Sequence, residues 1–309
     1  MSASDQELPW RFGTIGEPDD LAGAQTVLQR RGELYLLSDL LGPGQPAPSV
    51  RQILEAWDQW RPRLSALAQA KPACRPLAQT EVSWLPPVVF PRKLIICGAN
   101  YRAHVTEMGA DPDALAQPFT LLKPATTSLI GDQRSIIKPK QVTWLDWEGE
   151  LGVIIGRRVR RLDRSEALSA VAGYCPVNDI SARDWMEAQA PGVGMDWTLH
   201  KGFDGFTPAG PLITPAEFVA DPQALQLQLT VNGVIKQATS TDDMIFDVAA
   251  LITHLTSVMT LEPGDMLLTG SPSGVGYGRE PRERLDPGDE VVVAIPGLGT
   301  LTNTVVAEA

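Results

Sequence analysis

The chain has 309 residues, 43% of them apolar and 20% charged, which is the composition of an ordinary globular protein with a sizeable core in one or two domains. A net charge of −11 opposes binding to nucleic acid or anionic lipid, and no apolar run approaches the ~18 residues that a membrane span needs. Cys74, Cys97 and Cys175 are odd in number and lack C-x-x-C spacing, which argues against a disulfide framework or structural zinc, and the acidic amino terminus is unlike a secretory leader, so a cytoplasmic location is expected.

Proline and glycine, at 26 and 27 residues, cut the sequence into short segments and favour strands over long helices. In chain order, a strand is predicted over residues 33–37 and a helix over 50–70, which Pro62 should kink or break. The double proline at Pro86-Pro87 closes a small amino-terminal domain, taken as residues 1–88, and residues 89–309 form the second. Strand-like apolar runs follow at 94–97, 151–155, 225–231, 266–269 and 291–295. Asn232-Gly233, between alternating apolar residues, is the strongest hairpin signal. Residues 243–259 read as an amphipathic helix stopped by Glu262-Pro263-Gly264-Asp265, and 166–172 as a shorter one. Few intervals are long enough for repeated β-α-β crossovers, so the expected class is α+β, mostly β.

Two carboxylates, Glu148 and Glu150, stand two residues apart just before an apolar run, and in a strand that spacing turns both to one face. They are either solvated acids on an exposed edge or a pair that needs a cation between them, since parallel carboxylates raise each other's pKa. Hard oxygen donors of this kind suit Mg²⁺, Mn²⁺ or Ca²⁺ rather than zinc. Downstream, an apolar strand from Tyr174 delivers Asp179 at its end. Upstream, His104 and Glu107 are three apart, as neighbours on a helical turn are, and make either a surface pair or a carboxylate-held general base.

These segments together carry a resemblance. NYRAHVTE, DWEGELGVIIGRR, NDISARDW, HKGFDGFTPAGP, DMIFDVAALI, LEPGDMLLTGSPSGVG and LGTLTNTV, in that order over residues 93–306, resemble the fumarylacetoacetate hydrolase family. The resemblance implies a mixed β-sandwich roll, assembled as a homodimer, that acts on a small-molecule 2-oxo acid of aromatic or sugar acid catabolism. It implies that Glu148, Glu150 and Asp179 hold Mg²⁺ or Mn²⁺, that His104 with Glu107 activates water from a mobile segment flanked by residues 110–118, and that Lys201 neutralises the charge developing as a bond breaks. It also implies that Ser271, where many members carry threonine, and Tyr101 contact the substrate. Arg183 either binds a substrate carboxylate or hydroxyl or pairs with Asp184 or another acid. The glycine-rich turn at 270–276 lacks the ending of a phosphate loop. His254 reads as structural, and His200 has no derivable role.

One departure bears on specificity: Met186 stands where many members have glutamine, and a thioether donates no hydrogen bond. That disfavours oxaloacetate decarboxylation and favours a bulkier, acylpyruvate-like substrate at a pocket that Met186 lines. The expected activity is hydrolysis of the carbon–carbon bond of a 2,4-dioxo acid to a 2-oxo acid and a carboxylic acid. Its rivals are isomerisation, tautomerisation or decarboxylation of a related 2-oxo acid, and a non-catalytic, metal-stabilised scaffold.

Overall fold

The computed structural model describes residues 9–78, 80, 82–186 and 194–309, and the statements below concern these; the acidic start of the chain lies outside them. The fold is α+β and mostly β. Its larger sheet runs, in spatial order, through Glu33–Leu36, Gln25–Arg30, Arg11–Ile15, Leu212–Pro215, Val171–Asn178, Gly149–Ile155, Met266–Leu268, Leu94–Gly98 and Phe119–Lys123. The amino-terminal strands thus join the sheet that carries Gly149–Ile155, through Phe12 opposite Ile213. Trp10, Phe12 and Leu28 also share one apolar cluster with Leu94, Ile154 and Cys175, so residues 9–88 bury their core against the rest of the chain. A second sheet, ordered Val234–Ser240, Gln226–Val231, Glu290–Ile295, Gly299–Ala307 and Ile136–Lys138, packs on the first where Leu229 meets Gly149. The Asn232-Gly233 hairpin forms as the sequence predicts, with Val231 opposite Val234.

Two helical expectations shift. The 50–70 region breaks at Ala56 (φ −123°, ψ 39°) into Val50–Glu55 and Trp57–Gln69, while Pro62 stays inside the second helix. Pro62 is exposed, so the carbonyl it leaves without a donor can face water. The predicted 243–259 helix starts only at Val248, capped by the Asp247 carboxylate on the Ala250 N–H at 2.7 Å. Met244 and Ile245 are occupied instead in backbone contacts with Tyr101 and Asn100. The 166–172 segment is a single 3-10 turn, Ala167–Ala170, before the next strand. Among the described residues all three cysteines are free, and no helix is long and apolar enough to cross a membrane.

Candidate active site

The acids converge because of strand register. Gly149–Ile155 runs antiparallel to Val171–Asn178 with Glu150 opposite Val177 and Gly149 opposite Asn178, so Glu148 and Asp179 meet just past the paired ends. The Asp179 N–H donates to the Glu148 carbonyl at 2.8 Å, and the Glu148 N–H donates to Asn178 Oδ1 at 3.0 Å. Glu148, Glu150 and Asp179 each offer an oxygen within 4.8 Å of the others, and all three are buried. The reading of Glu148 and Glu150 as solvated edge acids is thereby excluded.

Three cations face them. Lys201 Nζ donates to Glu148 Oε2 at 2.7 Å and to Asp179 Oδ2 at 2.6 Å. Lys123 Nζ, with no exposed side-chain surface, donates to Asp179 Oδ1 at 2.6 Å and to the Phe206 carbonyl at 2.8 Å. Arg183 donates through Nη2 to Glu148 Oε1 at 2.6 Å and through Nε to Asp146 Oδ2 at 2.8 Å. Burial favours protonated Glu148, yet Lys201 and Arg183 outweigh it and hold this carboxyl well below its ordinary range. Glu150 goes the other way, raised by burial and then by the charges of Asp179 and Glu148, although the Gly270 N–H donates to its Oε2 at 2.7 Å. The two lysines are also pushed apart: burial takes Lys123 down despite Asp179, whereas for Lys201 the attraction of Asp179 and Glu148 overcomes burial.

A divalent cation fits this donor set. Four buried carboxylates, counting Asp146, are met by Lys123, Arg183 and Lys201, which leaves one negative charge uncompensated when all are ionised. Three convergent carboxylate oxygens suit a hard ion. A dication would reverse the sign of the cluster within a chain of net charge −11.

His104 and Glu107 lie on the short helix Arg102–Glu107. Its start is pinned by Asn100, whose side chain donates to the Thr269 and Phe246 carbonyls and accepts from the Phe246 N–H, and by Asp243 on the Ala103 N–H. His104 Nδ1 lies 3.1 Å from Glu107 Oε2, and Glu107 Oε1 accepts from the Gly274 N–H at 2.9 Å. Burial would raise Glu107, but the hydrogen bonds from His104 and Gly274 keep it below its ordinary value. Gly278 lies flat against this carboxylate, where an added Cβ would come within 2.5 Å of Glu107 Cδ. The same loop holds Asp146: the Gly276 N–H donates to Oδ1 at 2.7 Å and the Tyr277 N–H to Oδ2 at 3.0 Å. One loop therefore touches the dyad on one side and, through Asp146 and Arg183, the Glu148 carboxylate on the other.

Arg183 is buried in its two ion pairs rather than free to bind substrate, and Asp184 instead accepts from the Thr143 and Trp144 N–H groups. Tyr101 has no exposed surface and belongs to the apolar cluster of Cys97, Met244 and Val248. Ser271 is buried and accepts from Gln237 Nε2 at 2.9 Å. Met186, half-buried, ends the 3-10 turn Arg183–Trp185, and residues 187–193 beyond it lie outside the described part. Residues 110–118 hold one exposed 3-10 turn, Pro112–Ala114. His200 is buried with Nδ1 2.9 Å from the Ala182 carbonyl, and burial followed by the charges of Lys201 and Arg183 lowers it to about 3, so it is neutral. The sequence reading missed Lys123, Gln237 and the anchoring role of Asp146.

Comparisons agree with the sequence resemblance. Residues 93–306 match the fumarylacetoacetate (FAA) hydrolase C-terminal family. The mitochondrial oxaloacetate tautomerase FAHD2A of Bos taurus is 37% identical over 257 residues, 83% of this chain and 80% of that one. A 2,4-didehydro-3-deoxy-L-rhamnonate hydrolase of Sphingomonas sp. (strain SKA58) is 41% identical over 242 residues, 77% of this chain and 82% of that one. The structure of maleylpyruvate hydrolase from Sphingobium sp. SYK-6 in complex with manganese (II) ion and pyruvate aligns at a TM-score of 0.78 and 26% identity, over 97% of this chain and 100% of that one.

Proposed function

The chain belongs to the fumarylacetoacetate hydrolase family, and from that premise we propose that it is a divalent-metal-dependent hydrolase that cleaves a 2,4-dioxo acid into a 2-oxo acid and a carboxylic acid. The observation that carries this reading is a base dyad separate from the three convergent carboxylates yet tied to them by one loop: Glu107 accepts from Gly274 while Gly276 and Tyr277 hold Asp146. Hydrolysis needs that separation, because the water attacks the 4-oxo carbon and the 2-oxo acid head lies elsewhere.

Glu148, Glu150 and Asp179 are the residues that would hold Mg²⁺ or Mn²⁺, which when bound supplies positive charge to the carboxylate and 2-oxo oxygen of the substrate. The complex of a related hydrolase with manganese (II) ion and pyruvate supports that choice. Glu107, accepting at Nδ1 of His104, fixes the tautomer in which Nε2 takes a proton from water and stabilises the imidazolium that forms. Hydroxide adds to the 4-oxo carbon, the bond between C3 and C4 breaks, and its electron pair moves onto the 2-oxo oxygen. Lys201, held between Glu148 and Asp179, is the ammonium that offsets this charge. A proton returned to C3 completes the 2-oxo acid. The reading carries a homodimer with it, which light scattering would test.

A second reading, tautomerisation of oxaloacetate, has its own support in the name of the bovine relative. It uses the same charge at the 2-oxo oxygen but needs no water at a distal carbonyl. Incubation with acylpyruvates and Mg²⁺ or Mn²⁺ under a pyruvate-coupled assay, beside absorbance of enol-oxaloacetate, separates the two. Pyruvate release that EDTA abolishes supports hydrolysis. Accelerated ketonisation with no pyruvate from any acylpyruvate would overturn it in favour of the second reading.

A further inference from the structure

Gln237 lies on the strand Val234–Ser240 and is 1% exposed. Its Oε1 accepts from the N–H of Gly149, the residue between Glu148 and Glu150, at 2.8 Å. Its Nε2 donates to the Pro272 carbonyl at 2.8 Å and to Ser271 Oγ at 2.9 Å. A backbone N–H only donates and a carbonyl only accepts, so these two partners fix which end of the amide is nitrogen. Ser271 Oγ is therefore an acceptor toward Gln237, and its own proton must point elsewhere. The acceptor nearest to hand is the Pro272 carbonyl at 3.4 Å, which is long and already takes the Gln237 proton. The turn is held from its other side by the Gly270 N–H on Glu150, and Gly270 has φ +98° with Asn100 Cβ 2.8 Å from where its own Cβ would stand, so this backbone cannot easily relax.

We propose that Gln237 is a positioning residue that makes the Ser271 hydroxyl a dedicated donor to the carboxylate of the 2-oxo acid. The inference rests on the proposed action on a 2-oxo acid and on the substrate contact that the family resemblance implies for Ser271, and it takes that contact to be with the carboxylate. A hydroxyl can donate or accept, and an anionic head can only accept. By filling a lone pair of Ser271 from behind, Gln237 removes the orientation that would set oxygen against oxygen, and the proton left over meets the anion in a charge-assisted hydrogen bond.

The rival account is that Gln237 merely ties the Gly149 strand to the turn. A double-mutant cycle on pyruvate binding to the Mn²⁺-loaded protein, read by calorimetry, separates the two, with Mn²⁺ affinity as a control. Ser271→Ala should weaken pyruvate about ten- to hundredfold, the scale of a hydrogen bond to a charged group. Gln237→Met should weaken it comparably in the parent and by less than about twofold once Ser271 is alanine. Gln237→Glu keeps the shape and the Gly149 contact while accepting the Ser271 proton. Its charge acts alike in both backgrounds and cancels from the cycle, so the same coupling is expected, and this variant serves if Gln237→Met does not fold. If Ser271→Ala weakens pyruvate but the Gln237 factors simply multiply with it, the positioning role is wrong and the Ser271 contact survives. If Ser271→Ala leaves pyruvate unaffected, both fall.

Discussion

Replacing Lys123 by methionine tests the charge accounting at the acid cluster. The change keeps an unbranched side chain, one atom shorter, and removes the ammonium from Asp179 Oδ1 and the Phe206 carbonyl. The four buried carboxylates are then met by Arg183 and Lys201 alone, and the uncompensated negative charge doubles. Removing one partner of a buried ion pair costs about 3–5 kcal/mol, which in a chain of this size lowers the melting temperature by roughly 5–15 °C. A divalent cation at Glu148, Glu150 and Asp179 would offset part of that loss: parent and variant are both stabilised by binding it, so the gap narrows by the extra affinity that the added negative charge gives the variant, about 1.4 kcal/mol for each tenfold. The assay is thermal melting of parent and variant in EDTA and in saturating Mn²⁺, with Mn²⁺ titration calorimetry. The variant should melt far below the parent in EDTA, show a smaller gap in Mn²⁺, and bind Mn²⁺ more tightly than the parent does. An equal drop under both conditions, or weaker Mn²⁺ binding, would refute the idea that Lys123 balances the charge of a cation site.

Three further changes separate binding, chemistry and stability. Glu150→Gln keeps the shape and loses the charge, so Mn²⁺ affinity should fall at least about tenfold, the scale of one charge-assisted contact, while the EDTA melting temperature holds or rises because Asp179 and Glu148 no longer repel it; unaltered calorimetric affinity would remove Glu150 from the metal site. His104→Ala should cut kcat by ~10²–10⁴ while Mn²⁺ and pyruvate binding persist, and a near-parental kcat would reduce the His104–Glu107 pair to a structural contact. Asp132 is pushed up from 3.8 to about 6 by burial, against the hydrogen bond from Thr302 N–H. Its folded form holds the proton more tightly than the unfolded chain, so its contribution is full below the ordinary value and lost as pH rises through about 6. Asp132→Asn should therefore match the parent in urea midpoint near pH 4 and exceed it by roughly 2 kcal/mol at pH 8, and a difference independent of pH would dismiss the burial argument.

The sequence discloses the strands whose apolar residues are buried. The apolar runs at 94–97, 151–155 and 266–269 read as strands, and they fall on the buried strands Leu94–Gly98, Gly149–Ile155 and Met266–Leu268. The amino-terminal strands Arg11–Ile15 and Gln25–Arg30 escape because their interior is partly polar: Arg11, Thr14, Thr26 and Gln29 are all buried. They are enclosed only because partners distant in the chain satisfy them, Arg11 by Gln29 and the Leu298 carbonyl, Thr14 by the Pro87 carbonyl and Thr26 by the Pro48 carbonyl. No local pattern encodes such partners.

The site divides along the same line. Glu148, Glu150 and Asp179 are legible because two of them share a strand-like spacing and the third ends a strand, and antiparallel register then brings the ends together. Lys123 and Gln237 share a different signature that single residues do not reveal. In Phe119–Lys123 the apolar Phe119 and Leu122 are exposed while the lysine is buried, and in Val234–Ser240 the apolar Val234 and Ile235 are exposed while Gln237 is buried. Hydrophobic burial alone would favour enclosing these apolar side chains and leaving the lysine and the glutamine in water. An inversion of this kind persists only where other contacts hold the polar side chain inside: here these are Asp179 and the Phe206 carbonyl for Lys123, and Gly149, Pro272 and Ser271 for Gln237. The burial of an amine or amide against the run of its own strand is therefore itself a pointer to the site. It becomes visible only when the fold supplies the partner, since nothing local in FTLLK or VIKQATS marks Lys123 or Gln237 for burial.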